Sequence, residues 1–141
     1  MSRERIVLDT NCLLQVISIH SPYRKIWDSF VEGKYSLCVS NSILSEYEEI
    51  LGTRSSWQLA DVIVRAIIES PFTVKVDPYI SFRLIYADPD DNKFVDCAVA
   101  SNARYIVTED AHFNILRQIK FPKVEITKLD DYLRELENAK E

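Results

Sequence analysis

With 141 residues, 47% of them hydrophobic and 28% charged, the chain has the makeup of one compact domain with a real core, which excludes a disordered or fibrous protein. No apolar run approaches the roughly 20 residues needed to cross a bilayer, since Arg65 interrupts the most apolar stretch, Val62 to Ile68. The net charge of −5 argues against general electrostatic capture of nucleic acid, unless several of the acids are gathered in one pocket and neutralised there.

Met1-Ser2-Arg3-Glu4 runs directly into the apolar Ile6-Val7-Leu8, leaving no room for a signal peptide, so a cytoplasmic protein is expected. Arg5 to Leu8 reads as a strand ending at Asp9, and Cys12-Leu13-Leu14 with Val16-Ile17 suits a helix. Ser21-Pro22 supplies a cap and an opening proline for a second helix, which Gly33 stops. Tyr35 to Val39 is a second strand. Ser40-Asn41-Ser42 caps a helix carrying Ile43, Leu44, Tyr47, Ile50 and Leu51, expected to end at Gly52. A further helix covers Trp57 to Glu69, and Pro71 separates it from a third strand, Phe72 to Val76. The stretch from Asp77 to Ala87 is irregular. Asp90-Asp91 opens a helix with Phe94, Val95, Ala98 and Val99 on its apolar side, followed by a strand from Arg104 to Thr108. A short helix over Ala111 to Ile119, a strand over Val124 to Ile126 and a helix over Leu129 to Leu136 complete the chain.

This alternation predicts an α/β fold: three layers, α/β/α, around a mostly parallel central sheet of about five strands, in one domain spanning residues 1–141. Cys12, Cys38 and Cys97 are odd in number and far apart, so they are expected to be small buried hydrophobes rather than a disulfide or zinc set.

The acids carry the chemistry. Asp9 and Asp110 both follow apolar strands, where parallel topology brings strand ends to one edge of the sheet. Each taken alone could be an N-cap. Asp90 and Asp91 begin a helix, Asp96 lies inside it, and Glu46 flanks the apolar stripe of the third helix. Four carboxylates converging on one edge would repel one another unless a cation held them, and oxygen donors without Cys or His select Mg²⁺ or Mn²⁺ over zinc. His20 and His112 fall outside these motifs and are expected to be ordinary surface or core residues.

Four segments in this order resemble the PIN-domain family: Ile6-Val7-Leu8-Asp9-Thr10-Asn11, then Ser42-Ile43-Leu44-Ser45-Glu46-Tyr47, then Asp88-Pro89-Asp90-Asp91-Asn92-Lys93-Phe94-Val95-Asp96-Cys97-Ala98, and finally Tyr105-Ile106-Val107-Thr108-Glu109-Asp110. The resemblance runs from near residue 5 to about residue 127. It implies a PIN-like fold and a metal-dependent endoribonuclease, often the toxin of a bacterial toxin–antitoxin pair. By position, Asp9, Glu46, Asp91 and Asp110 match the family's catalytic acids. Asp96 is left as an accessory ligand or an acid behind the ligands, and Thr10, Asn11 and Thr108 match the supporting polar positions.

The expected mechanism places one or two Mg²⁺ or Mn²⁺ ions on Asp9, Asp91 and Asp110, with Glu46 positioning water or a second ion for phosphodiester hydrolysis. Expected partners are an RNA substrate and a small antitoxin protein. A homodimer through the apolar helix Trp57 to Ile68 is weighed against packing of that helix on the sheet, and no membrane is involved. One alternative is a non-catalytic PIN-like module that binds RNA or protein. Another is phosphoryl transfer through an Asp9 aspartyl phosphate, disfavoured because Asp9-Thr10-Asn11 lacks a second carboxylate two residues on.

Overall fold

The computed structural model describes residues 3–139; the two residues at each end of the expected 1–141 unit lie outside the described residues. The elements in chain order are β1 (Arg5–Leu8), α1 (Thr10–Val16), α2 (Arg24–Val31), β2 (Ser36–Val39), α3 (Asn41–Arg54), α4 (Trp57–Glu69) and β3 (Thr73–Lys75). A 3-10 turn (Pro89–Asp91) leads into α5 (Asn92–Ser101), β4 (Tyr105–Val107), a 3-10 segment (Ala111–Gln118), β5 (Ile126–Thr127) and α6 (Leu129–Asn138).

The five strands form one sheet in the order β3-β2-β1-β4-β5, and every pairing is parallel. Ile6, Val7 and Leu8 are all fully buried. Because successive strand side chains point to opposite faces, that pattern requires helices on both sides of the sheet, giving the three-layer α/β/α arrangement. The chain starts in the middle, builds outward through β2 to β3, then returns to add β4 and β5 on the other side of β1. The direction of growth therefore reverses between β1 and β4, and in parallel sheets the crevice outside the strand ends at such a reversal is where ligands bind.

Side-chain caps do much of the local specification. Ser40 Oγ accepts the Ile43 amide at 3.3 Å and Ser56 Oγ accepts the Leu59 amide at 3.0 Å, satisfying donors that the first turns of α3 and α4 leave free. Tyr47 is fully buried, and its hydroxyl donates to Leu8 O at 2.5 Å, which pins α3 against the end of β1. The core is rich in aromatics: Tyr35 packs edge-on against Tyr132 at 5.7 Å, and Phe94 meets Phe113 at 6.3 Å. Cys12, Cys38 and Cys97 are free and buried, as their spacing suggested.

Four details differ from the sequence expectation. Gly52 does not end α3, which continues to Arg54; a Cβ there would lie 2.0 Å from the Trp57 ring and would displace it, so the glycine serves the close α3–α4 approach rather than a helix stop. Ser21 Oγ accepts the Tyr23 amide at 3.0 Å, forming a turn that delays α2 to Arg24. Ala111–Gln118 is a 3-10 segment rather than an α-helix, and β5 begins at Ile126 rather than Val124. Its register with β4, Ile106 opposite Ile126, is what sets that strand. No helix among the described residues is long and apolar enough to cross a membrane.

Candidate metal centre

The register Leu8 opposite Val107 carries β1 and β4 to the same edge in step, so the next residues, Asp9 and Thr108, lie side by side. The Asp9 amide donates to Val107 O at 3.1 Å, and Thr108 Oγ1 donates to Asp9 Oδ2 at 2.9 Å. Asp9 stands at the N-cap position of α1 yet makes no side-chain cap hydrogen bond, so its carboxylate is not occupied in capping. It is only 5% exposed. Burial pushes its carboxyl above the ordinary value; the Thr108 hydrogen bond opposes this, and the charges of Asp110 and Glu46 add to it.

Asp110 does cap. Its Oδ1 accepts the His112 amide at 2.9 Å, while its own amide donates to Thr108 Oγ1 at 3.0 Å. The tight turn that follows brings the His112 ring back toward the acids, with Nδ1 3.4 Å from Asp110 Oδ1 and 3.9 Å from Asp91 Oδ2. His112, expected to stand apart from the site, therefore lies beside these acids, because the Asp110 carboxylate bonds the backbone two residues on and turns the chain back on itself.

Asp91 closes the 3-10 turn that precedes α5, and Asp88 opens it, accepting the Asp90 amide at 3.2 Å. One ligand atom from each of Asp88, Asp91 and His112 lies within 4.8 Å of the others. Asp91 Oδ2 is buried without a hydrogen-bond partner. Burial, followed by the charges of Asp88, Asp9 and Asp110, lifts the Asp91 carboxyl from 3.8 to about 7, against the opposing influence of His112.

Glu46 reaches the same region from α3 but is already compensated. Thr10 Oγ1 donates to Glu46 Oε2, and Lys93 Nζ lies 2.6 Å from Glu46 Oε1 and 3.1 Å from Asp90 Oδ1. Burial alone would lower the Lys93 ammonium, but the hydrogen bonds and charges of Glu46 and Asp90 outweigh it and raise it. The sequence did not single out Lys93; its position one turn after Asp90 in the Asp88–Lys93 segment was the available signal. Asn11 Oδ1 is turned outward and accepts from Arg54 Nη1 at 3.4 Å. Asp96 Oδ1 accepts the Phe82 amide at 3.0 Å, so this carboxylate holds the irregular 77–87 stretch. Asn92 does the same from α5: its side chain donates to Ile85 O at 2.9 Å and Pro89 O at 3.0 Å and accepts the Ile85 amide at 2.9 Å. No sequence argument singled it out. Beside the acids, a cleft of about 640 Å³ opens between Ser40, Arg83, Tyr86, Asp90, Lys93 and Asp96.

Asp9, Asp91 and Asp110 thus share an edge with Asp88; the charge of Asp110 raises the proton affinity of Asp9, and those of Asp88, Asp9 and Asp110 raise that of Asp91, while the lysine beside them is committed to Glu46 and Asp90. An orphaned, buried carboxylate oxygen within this group fits a divalent cation, whose charge would remove the repulsion and whose preference for hard oxygen matches the donors.

A family model described as PIN domain matches residues 5–112. No curated protein matches the chain. Among solved structures, the fold is similar to a chain of the DNA-bound VapBC complex from Salmonella typhimurium, with a TM-score of 0.61 at 16% identity over 89% of this chain and 98% of that one. It is similar also to a chain of VapBC2 from Rickettsia felis bound to a promoter DNA fragment, with a TM-score of 0.59 at 15% identity over 88% and 98%. The PIN domain endonuclease Utp24 gives 0.52 at 18% identity over 88% and 84%. At these identities the likeness is one of fold.

Proposed function

The chain belongs to the PIN-domain family, and on that premise we propose that it is a divalent-metal-dependent endoribonuclease acting as the toxin of a toxin–antitoxin pair. The observation that carries the nuclease chemistry is the buried, unpartnered Asp91 Oδ2 facing a site where Asp9, Asp88 and Asp110 charges crowd it. Such crowding is costly in the metal-free protein and becomes favourable when a cation is present. Asp9, Asp91 and Asp110 are the residues that would hold Mg²⁺ or Mn²⁺. The ion, when bound, supplies Lewis-acid activation of water and charge stabilisation at the phosphodiester.

The chain's own residues do the positioning. Thr108 orients Asp9 through its hydroxyl and holds the Asp110 amide, so the two strand-end acids keep one geometry. Glu46 is fixed by Thr10 and Lys93 and serves as an oriented acceptor at the edge of the site. The cleft beside Lys93 gives a substrate strand somewhere to lie, with the Arg83 guanidinium available to a phosphate. The VapBC likeness supports the toxin role, and a small antitoxin covering the acidic edge is the expectation that goes with it.

Cleavage of single-stranded RNA by the purified protein, with Mg²⁺ or Mn²⁺ and with chelator, tests the proposal beside Asp9→Asn. Cleavage that needs the ion and falls by at least two orders of magnitude in the variant is expected; equal cleavage by the variant removes Asp9 from the mechanism.

A further inference from the structure

The 3-10 turn after β4 delivers an imidazole to a centre otherwise made of oxygen. His112 Nδ1 is 3.4 Å from Asp110 Oδ1 and 3.9 Å from Asp91 Oδ2. The second separation is too long for a hydrogen bond, which leaves the buried oxygen without a partner although a ring nitrogen stands near it. Ligands around one octahedral cation at ~2.1 Å stand ~3 Å apart when adjacent and ~4.2 Å apart when opposite. The spread of Asp88, Asp91 and His112 atoms, all within 4.8 Å, is that of a shell needing only a small contraction. The His112 backbone amide donates to Asp110 Oδ1 at 2.9 Å, which fixes the main chain of the turn from which the ring projects.

We propose that His112 is a ligand of the metal centre, so that an imidazole nitrogen joins the carboxylates and the site prefers Mn²⁺ to Mg²⁺. The inference rests on the acids being metal ligands, and it concerns which ion they take. Mg²⁺ binds oxygen almost exclusively and holds its waters tightly. Mn²⁺ shares that preference for carboxylate and water but, as a first-row transition metal, accepts one imidazole beside them, while Zn²⁺ and Fe²⁺, which imidazole suits best, would gain as well. Replacing one oxygen position by nitrogen therefore separates two ions that an all-carboxylate site scarcely distinguishes. It also accounts for a histidine placed among acids without donating a good hydrogen bond from its ring to either one.

Two measurements on the intact protein test this. Electron spin-echo spectroscopy of the Mn²⁺-loaded protein should show hyperfine coupling to a directly bound nitrogen. Calorimetric titration with MnCl₂ and MgCl₂ should show Mn²⁺ binding weakened about tenfold in His112→Ala, with Mg²⁺ binding changed less than threefold. The wild-type spectrum needs no variant, and the exposed His112 ring makes unfolding by H112A an unimportant concern. Mn²⁺ binding that is lost in Asp91→Asn, with no nitrogen coupling and no change in H112A, overturns the imidazole ligand while keeping the carboxylate centre. Absence of either ion from the wild-type protein overturns both.

Discussion

Asp91→Asn should make the metal-free protein more stable at neutral pH while abolishing its response to divalent cations. The Asp91 carboxyl binds its proton with a value of about 7 in the folded chain against 3.8 in an ordinary setting, mainly through burial and then through Asp88, Asp9 and Asp110. A folded group with raised proton affinity favours the folded state below the unfolded value and loses that contribution as pH rises through the folded one. For Asp91 the window is from about 4 to about 7. Each tenfold in proton affinity is worth about 1.4 kcal/mol, so the ceiling is about 4 kcal/mol; solvent at the mouth of the site screens this to about 1–2 kcal/mol. Urea denaturation in chelator between pH 5 and 8 should show wild-type stability falling with pH relative to D91N, with the variant ahead by about 1–2 kcal/mol at pH 8. Asp9, raised in the same direction, leaves a residual slope in the variant. Adding Mg²⁺ or Mn²⁺ should restore the wild type and leave D91N unmoved. A wild-type curve that is flat or rising relative to D91N, or a variant less stable than wild type at pH 8, refutes the idea that uncompensated charge accumulates at Asp91.

Asn92→Ala removes three hydrogen bonds and strands the buried Ile85 amide and carbonyl, so a loss of about 2–4 kcal/mol is expected in chemical denaturation, with earlier proteolysis within the 77–87 stretch. Thr108→Val removes the donor to Asp9 and the acceptor of the Asp110 amide; divalent affinity measured by calorimetry should fall several-fold, because the Asp9 carboxylate loses both orientation and stabilisation. Tyr47→Phe deletes the hydroxyl that joins α3 to Leu8 O and should cost about 1–2 kcal/mol of stability by thermal or urea unfolding.

Much of the scaffold was legible because apolar periodicity and strand-end punctuation are local properties. Ile6-Val7-Leu8 reads as a fully buried strand wherever it sits, and Ser40 and Ser56 announce helix starts that the structure caps with those same hydroxyls. Parallel topology then follows from the alternation of elements, and with it the meeting of Asp9 and Asp110. Errors fell where packing between elements decides. Gly52 looked like a helix stop, but it serves the close approach of Trp57.

The candidate site divides in the same way. From residue order alone came the candidate acids Asp9, Glu46, Asp91, Asp96 and Asp110, though not Asp88, together with their expected convergence and the need for something positive among them. Which acid remains without a partner depended on contacts across the fold: Lys93 meets Glu46, the Phe82 amide takes Asp96, Thr108 takes Asp9 and the His112 amide takes Asp110, leaving Asp91 Oδ2 without a hydrogen bond beside Asp88 and His112. Charge repels over several ångströms and hydrogen bonds over only one or two contacts, so a list of residue types can say that carboxylates gather. Only the packed structure decides which of them already have a partner.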